Sequence, residues 1–215
     1  MVYEKKRKEM IRRLQSMGIR DQAVLEAMGK VPRHLFIPEA LEFQAYDEKA
    51  LPIGFEQTIS HPFTVARMSE ALEVRQDQKI LEIGTGSGYQ CAVLCMMGAK
   101  VFTIEIIRDL AERARKQLRN LKLNFALFIG NGSYGWEEYA PYDAIIVTAG
   151  TPMVPKRLEK QLKPGGRLLI PVGDRTSQRI ELITVSETGI EKEELGEFQF
   201  VPLSGNKEPD NRAGN

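Results

Sequence analysis

Between Ile83 and Tyr89 the chain reads Gly84-Thr85-Gly86-Ser87-Gly88, three glycines in five positions directly after the apolar run KILEI (79–83). A glycine turn at a strand end lets a ligand come close to the backbone, and the helix that follows presents free N–H groups. Glu105 closes the next apolar run, KVFTIE (100–105), 21 positions beyond Gly84. At that spacing an acidic side chain can take both hydroxyls of a ribose. The pair points to a nucleoside-containing cofactor, either a dinucleotide or S-adenosylmethionine. The dinucleotide fingerprint G-x-G-x-x-G would place glycine at position 89, where Tyr89 stands. That displaced glycine removes the close approach a pyrophosphate needs and favours S-adenosylmethionine. No G-K-[ST] follows the loop, so the phosphate cradle of nucleotide hydrolases is absent.

The elements that must hold this pair alternate along the chain. After KILEI comes a small-residue helix from Tyr89, then KVFTIE, then a helix with Leu110, Ala111, Ala114 and Leu118 on one face. FALFI (125–129), YDAIIVTA (142–149), a helix near 152–162 and RLLIPV (167–172) follow. Strand–helix alternation predicts an open, doubly wound, mostly parallel α/β sheet with right-handed crossovers. Segments near 178–186 and 194–203, with a turn around Thr188-Gly189, predict an antiparallel C-terminal edge. Residues 1–35 read as a helical extension: Met10, Ile11, Leu14 and Met17 recur at helical spacing, and Asp21 is placed to cap a second helix. The whole is expected to be one domain over 1–203 with a polar tail over 204–215.

Composition limits the alternatives. The 215 residues are 42% hydrophobic and 27% charged, an ordinary globular balance, and 30 Lys plus Arg against 29 Asp plus Glu leave a net charge of +1. Such balance offers no general reason to bind nucleic acid or an anionic membrane. No apolar run approaches the roughly 20 residues of a membrane span. MVYEKKRKEM has no secretory pattern behind it, and Cys91 and Cys95 make no disulfide framework. The expectation is a cytoplasmic, monomeric protein without a bound metal.

Further motifs extend the reading. AYDEKALPIGFEQTISHP (45–62) contains a T-I-S-x-P core, and LEIGTGSGY, GNGSYGW (130–136), YDAIIVTAG (142–150), QLKPGGRLLIPVG (161–173) and FVPL (200–203) follow in order. With these segments the chain resembles the protein-L-isoaspartate O-methyltransferases, a Rossmann-like branch of the class I methyltransferases. The resemblance implies methyl transfer from S-adenosylmethionine to the free carboxylate of L-isoaspartyl residues in damaged proteins and peptides, which initiates their repair. It also implies Ser60 as the active-site serine, with Thr58 and Ile59 beside it binding substrate. Glu82, Gly84, Thr85, Gly86, Ser87 and Gly88 would serve the cofactor, Glu105 its ribose, and Asn131 and Gly132 its adenine. Asn131 stands where the family usually has Asp.

The residues present suit that chemistry. A carboxylate with an ordinary pKa near 3.5–4 is ionised at neutral pH and needs no general base to accept a methyl group. Only His34 and His61 are available as imidazoles, and no G-x-S-x-G elbow is present. Thr148-Ala149-Gly150 stands where many amine methyltransferases carry an Asn- or Asp-Pro-Pro-aromatic segment. Plainer roles compete: Ser60 as the cap of a helix beginning at Pro62, Asp143 as a structural acceptor for a backbone N–H, and the two cysteines as small buried thiols. Two other functions stay in view, a nicotinamide-dependent dehydrogenase and a methyltransferase-like module that only binds.

Overall fold

A computed structural model describes residues 2–174, 176–186 and 189–203. The extension folds as α1 (Val2–Ser16) and α2 (Gln22–Lys30). Asp21 caps α2, its carboxylate accepting from the Ala23 and Val24 amides, which satisfies donors the first helical turn leaves open. Two 3₁₀ turns, Arg33–Phe36 and Glu39–Gln44, lead to a hairpin of β1 (Leu51–Gly54) and β2 (Gln57–Ile59). Next come α3 (Pro62–Ala71), β3 (Lys79–Ile83), α4 (Tyr89–Met96), β4 (Lys100–Glu105), α5 (Arg108–Asn120) and β5 (Phe125–Ile129). The chain continues through β6 (Tyr142–Val147), α6 (Lys156–Glu159), β7 (Leu162–Gly173), β8 (Gln178–Ser186) and β9 (Gly189–Phe198).

Seven strands form one sheet in the order β5-β4-β3-β6-β7-β8-β9. The pairs from β5 to β7 are parallel, and β7–β8 and β8–β9 are antiparallel. This is the doubly wound α/β architecture with the antiparallel edge expected from the sequence. Strand order reverses between β4 and β6 around the central β3, and ligands of such sheets bind beyond the strand C-termini at that point.

Alternation within the strands splits the core. Ile80, Val101, Ala144, Ile146 and Leu169 pack with the buried faces of α1 to α4 and with Leu110 and Leu118 of α5. Leu81, Ile83, Ile104, Ile145, Val147 and Leu168 pack on the other side with Leu158 of α6. That second side is closed largely by rings: Trp136 lies 5.9 Å from Phe102, 5.4 Å from Phe128 and 4.9 Å from Tyr139.

Three boundaries depart from the sequence reading. The helix expected near 152–162 is one turn, because Pro152 and Pro155 supply no N–H and Leu162 already pairs with Tyr142. β7 accordingly starts five residues before Arg167 and bulges through Gly165-Gly166. There Asp143 accepts from the Lys79 amide at 2.7 Å and pairs with Lys163 at 2.6 Å, the structural role anticipated for it. The last strand runs over 189–198 instead of 194–203. Residues 201–203 turn back beside Gly150, whose amide donates to Val201 O at 2.8 Å and whose carbonyl accepts from Leu203 N at 2.7 Å. Thr188 and the 204–215 tail lie outside the described residues.

Candidate active site

The glycine loop leaves β3 at the switch point and is clamped from both neighbours. Gly84 N donates to Ile104 O of β4 at 2.9 Å. Thr148, just past β6, donates through Oγ1 to the carbonyls of Ile83 at 3.0 Å and Gly84 at 2.6 Å. Gly84 has φ +97°, and a Cβ there would stand 2.5 Å from Thr148 Oγ1. Only glycine fits that position without displacing the threonine.

Glu105, at the end of β4, is 5% exposed. Its Oε2 accepts from the Gly86 amide at 2.7 Å and its Oε1 from the Ile107 amide at 2.9 Å. Each carboxylate oxygen retains a further acceptor direction. Glu105 therefore shapes the loop and still has acceptor capacity at the cleft.

A second wall comes from the β1–β2 hairpin. Phe55 and Glu56 turn it at φ +55° and +56°, and Leu51, Ile53 and Ile59 fasten it to the core. The Arg113 guanidinium of α5 reaches the hairpin, donating to Ile53 O at 3.3 Å and lying 5.0 Å from the Phe55 ring centre. β2 delivers Gln57, Thr58, Ile59 and Ser60 to one cleft with Gly84, Thr85, Gly86, Ser87, Glu105 and Gly132. The cleft holds about 840 Å³ of space, part of it open to solvent. Nine of the twelve residues expected from the sequence thus share one wall-to-wall site.

Three do not line it. Glu82 alternates away into the core and is fully buried, accepting from Thr103 Oγ1 at 2.5 Å; Thr103 in turn contacts Thr85 Oγ1 at 2.6 Å. Burial pushes the Glu82 carboxyl up to about 8 against the Thr103 bond, which favours its protonated form, and the side chain supports the loop from beneath. Gly88, the N-cap position of α4, has φ +88° and faces α5, where a Cβ would meet Ala114 at 3.2 Å. Asn131 turns its Oδ1 to the Ser133 amide at 2.9 Å and the Ser133 hydroxyl at 2.8 Å, capping a short turn.

Other lining residues escaped the sequence reading as site residues: Val65 and Met68 of α3, Ile106, Thr148, and Val201 to Leu203. Thr148 carried a usable signal, since it ends a core strand at the switch point. Ile106 follows Glu105 directly and shares its local signal, whereas Val65, Met68 and Val201 to Leu203 reach the cleft through packing between distant segments.

Ser60 is half-buried, and its hydroxyl has no hydrogen-bond partner among the described residues. The cap of α3 is His61, whose Nδ1 accepts from the Phe63 amide at 3.0 Å, with Pro62 in the first turn. Burial and the Arg33 guanidinium hold the imidazole below its usual pKa. With Nδ1 occupied, His61 works as a cap, and Ser60 is released from the capping role weighed for it.

A model of the family described as protein-L-isoaspartate(D-aspartate) O-methyltransferase matches residues 5–208. The chain belongs to that family. A protein-L-isoaspartate O-methyltransferase from Dictyoglomus turgidum is 48% identical over 204 residues, covering 94% of this chain and 93% of its own length. One from Flavobacterium johnsoniae is 50% identical over 202 residues, covering 94% and 95%. A solved protein-L-isoaspartate O-methyltransferase superposes with TM-score 0.83 at 27% identity, over 93% of this chain and 66% of that one. A Plasmodium falciparum beta-aspartate methyltransferase in complex with S-adenosyl-L-homocysteine gives TM-score 0.81 at 26% identity, over 93% and 99%. As a protein-L-isoaspartate O-methyltransferase, the chain is an S-adenosylmethionine-dependent enzyme of protein repair.

Proposed function

We propose that the cleft holds S-adenosylmethionine along the glycine loop and an isoaspartyl carboxylate beside Ser60. The observation that carries this assignment is the convergence of the Ser60 hydroxyl, unpartnered among the described residues, with Glu105 and the loop in one cleft, from segments far apart in sequence. The donor set suits the cofactor. Glu105 offers two acceptor oxygens to the ribose, Gly84 and Gly86 bring backbone close to the methionine part, and exposed Ile106 offers an apolar face to the base. Gly132 lies at the adenine end, while Asn131 acts there through its cap.

When bound, S-adenosylmethionine supplies an electrophilic methyl group on a cationic sulfur. The site's own residues then have a limited task. The acceptor carboxylate is an anion at neutral pH, so no base has to remove a proton. Ser60 can donate to one carboxylate oxygen and turn the other toward the cofactor, and Ile59, Val65 and Met68 keep water from the reacting groups. This division of labour accounts for a site whose one nearby imidazole is spent on a helix cap.

The same reading takes residues 1–203 as one working domain, a monomer acting in the cytoplasm on damaged proteins and not on nucleic acid or membranes. Free Cys91 and Cys95 suit a reducing compartment. Among the described residues no helix is long and apolar enough to cross a membrane.

Thermal melting with two ligands in parallel tests the cofactor assignment. S-adenosylhomocysteine at a hundred times its Kd is expected to raise the midpoint by about 5–10 °C. NAD at the same concentration is expected to leave it unchanged. A shift with NAD alone would reverse the assignment.

A further inference from the structure

Among the described residues Arg33 is the one basic side chain buried with no exposed surface. Among the described residues it makes no ion pair with a carboxylate. Its Nε donates to Ala45 O at 2.7 Å and its Nη2 to Ser60 O at 2.7 Å. The guanidinium lies 4.8 Å from the Tyr89 ring centre, and its Nη1 is buried without a hydrogen bond. Burial lowers its pKa to about 10, so the group stays charged near neutrality.

Stability alone is a poor reason for this arrangement. Desolvating an unpaired guanidinium is costly, and well-packed apolar residues often replace buried ions without loss. What the arrangement does provide is a rigid tie between three segments. The planar fork ties the start of the 33–36 turn to the Ala45 carbonyl and to the carbonyl of Ser60. Beneath it, Tyr89 begins α4 directly after the glycine loop and also lines the cleft.

We infer that Arg33 is a positioning residue for methyl transfer: it sets the Ser60 backbone, and with it the serine hydroxyl, against the cofactor loop. The inference rests on the Ser60 assignment above. It does not place Arg33 in contact with substrate or cofactor, since the residue is sealed behind both.

The test combines Arg33→Met, Arg33→Lys and Ser60→Ala, with kcat counted per S-adenosylhomocysteine-binding site so that unfolded protein drops out. Arg33→Met is expected to lower kcat on an isoaspartyl peptide about tenfold or more, with peptide KM and S-adenosylhomocysteine affinity within about threefold. A lysine retains the charge but reaches one carbonyl, so Arg33→Lys should fold and recover part of the loss. In the Ser60→Ala background the Arg33→Met effect should shrink to under about threefold, because the group being aimed is gone. Should Arg33→Met fail to bind S-adenosylhomocysteine, Arg33→Lys alone decides, and a kcat clearly below the parent's supports the tie. A parental kcat in whichever variant folds, or an equal loss with and without the serine hydroxyl, overturns the inference while leaving the serine assignment standing. A Ser60→Ala enzyme as active as the parent overturns both.

Discussion

Ser60→Ala is expected to lower kcat/KM on an isoaspartyl peptide by roughly 10²-fold, with S-adenosylhomocysteine affinity nearly unchanged. The hydroxyl stands in the cleft without a partner among the described residues, while the carbonyl of the same residue is held by Arg33 at 2.7 Å and the neighbouring His61 supplies the helix cap. Removing Oγ therefore leaves the fold around it intact and deletes one donor to the acceptor. Because the acceptor arrives as an anion, the serine has no cause to act as a nucleophile. Enzyme mixed with S-adenosylmethionine and no peptide should show no methylated serine by mass spectrometry. Ser60→Thr keeps the hydroxyl and should retain more activity than alanine. Parental activity in Ser60→Ala would reduce Ser60 to a linker between β2 and α3.

Glu105→Gln should weaken S-adenosylhomocysteine binding by about 1.5–3 kcal/mol, or about 10- to 150-fold, the range for a hydrogen bond to a charged group. Two losses combine. One carboxylate oxygen becomes an NH₂ group, which must face the Gly86 or the Ile107 amide donor against donor whichever way the side chain is turned. The charge assistance to a ribose hydroxyl disappears at the same time. Calorimetric titration reads the sum, and the peptide KM should move far less than the KM for S-adenosylmethionine. Unchanged affinity would remove the ribose assignment and much of the case for how the cleft holds its cofactor.

How much of this was legible in the sequence follows from which interactions are local. The β3 to β6 strands, the glycine loop and Glu105 were readable because periodicity and a fixed βα spacing place them without reference to the rest of the chain. So was the Asp21 cap, which acts two and three residues away. The β1–β2 hairpin was not, because its turn puts Phe55 and Glu56 at positive φ where Gly or Asn would have been the signal. Its alternation of Leu51 and Ile53 with exposed Pro52 and Gly54 was the available clue. The return of residues 201–203 to Gly150 and the burial of Arg33 are long-range events. Arg33 looks in sequence like one more basic residue of a polar extension. Asn131 and Glu82 are the reverse case: motif position puts both at the cofactor, whereas the structure gives Asn131 a capping bond to Ser133 and buries Glu82 against Thr103.

One incubation bears on the central claim most directly. The enzyme is mixed with S-adenosylmethionine labelled on its methyl group and with a peptide carrying one L-isoaspartyl residue, beside a matched peptide carrying ordinary aspartate. The site described here predicts a base-labile methyl ester on the isoaspartyl peptide, far above the aspartyl control and reduced roughly 10²-fold by Ser60→Ala. No ester above the aspartyl control from the parent enzyme, with S-adenosylhomocysteine binding intact, would contradict it.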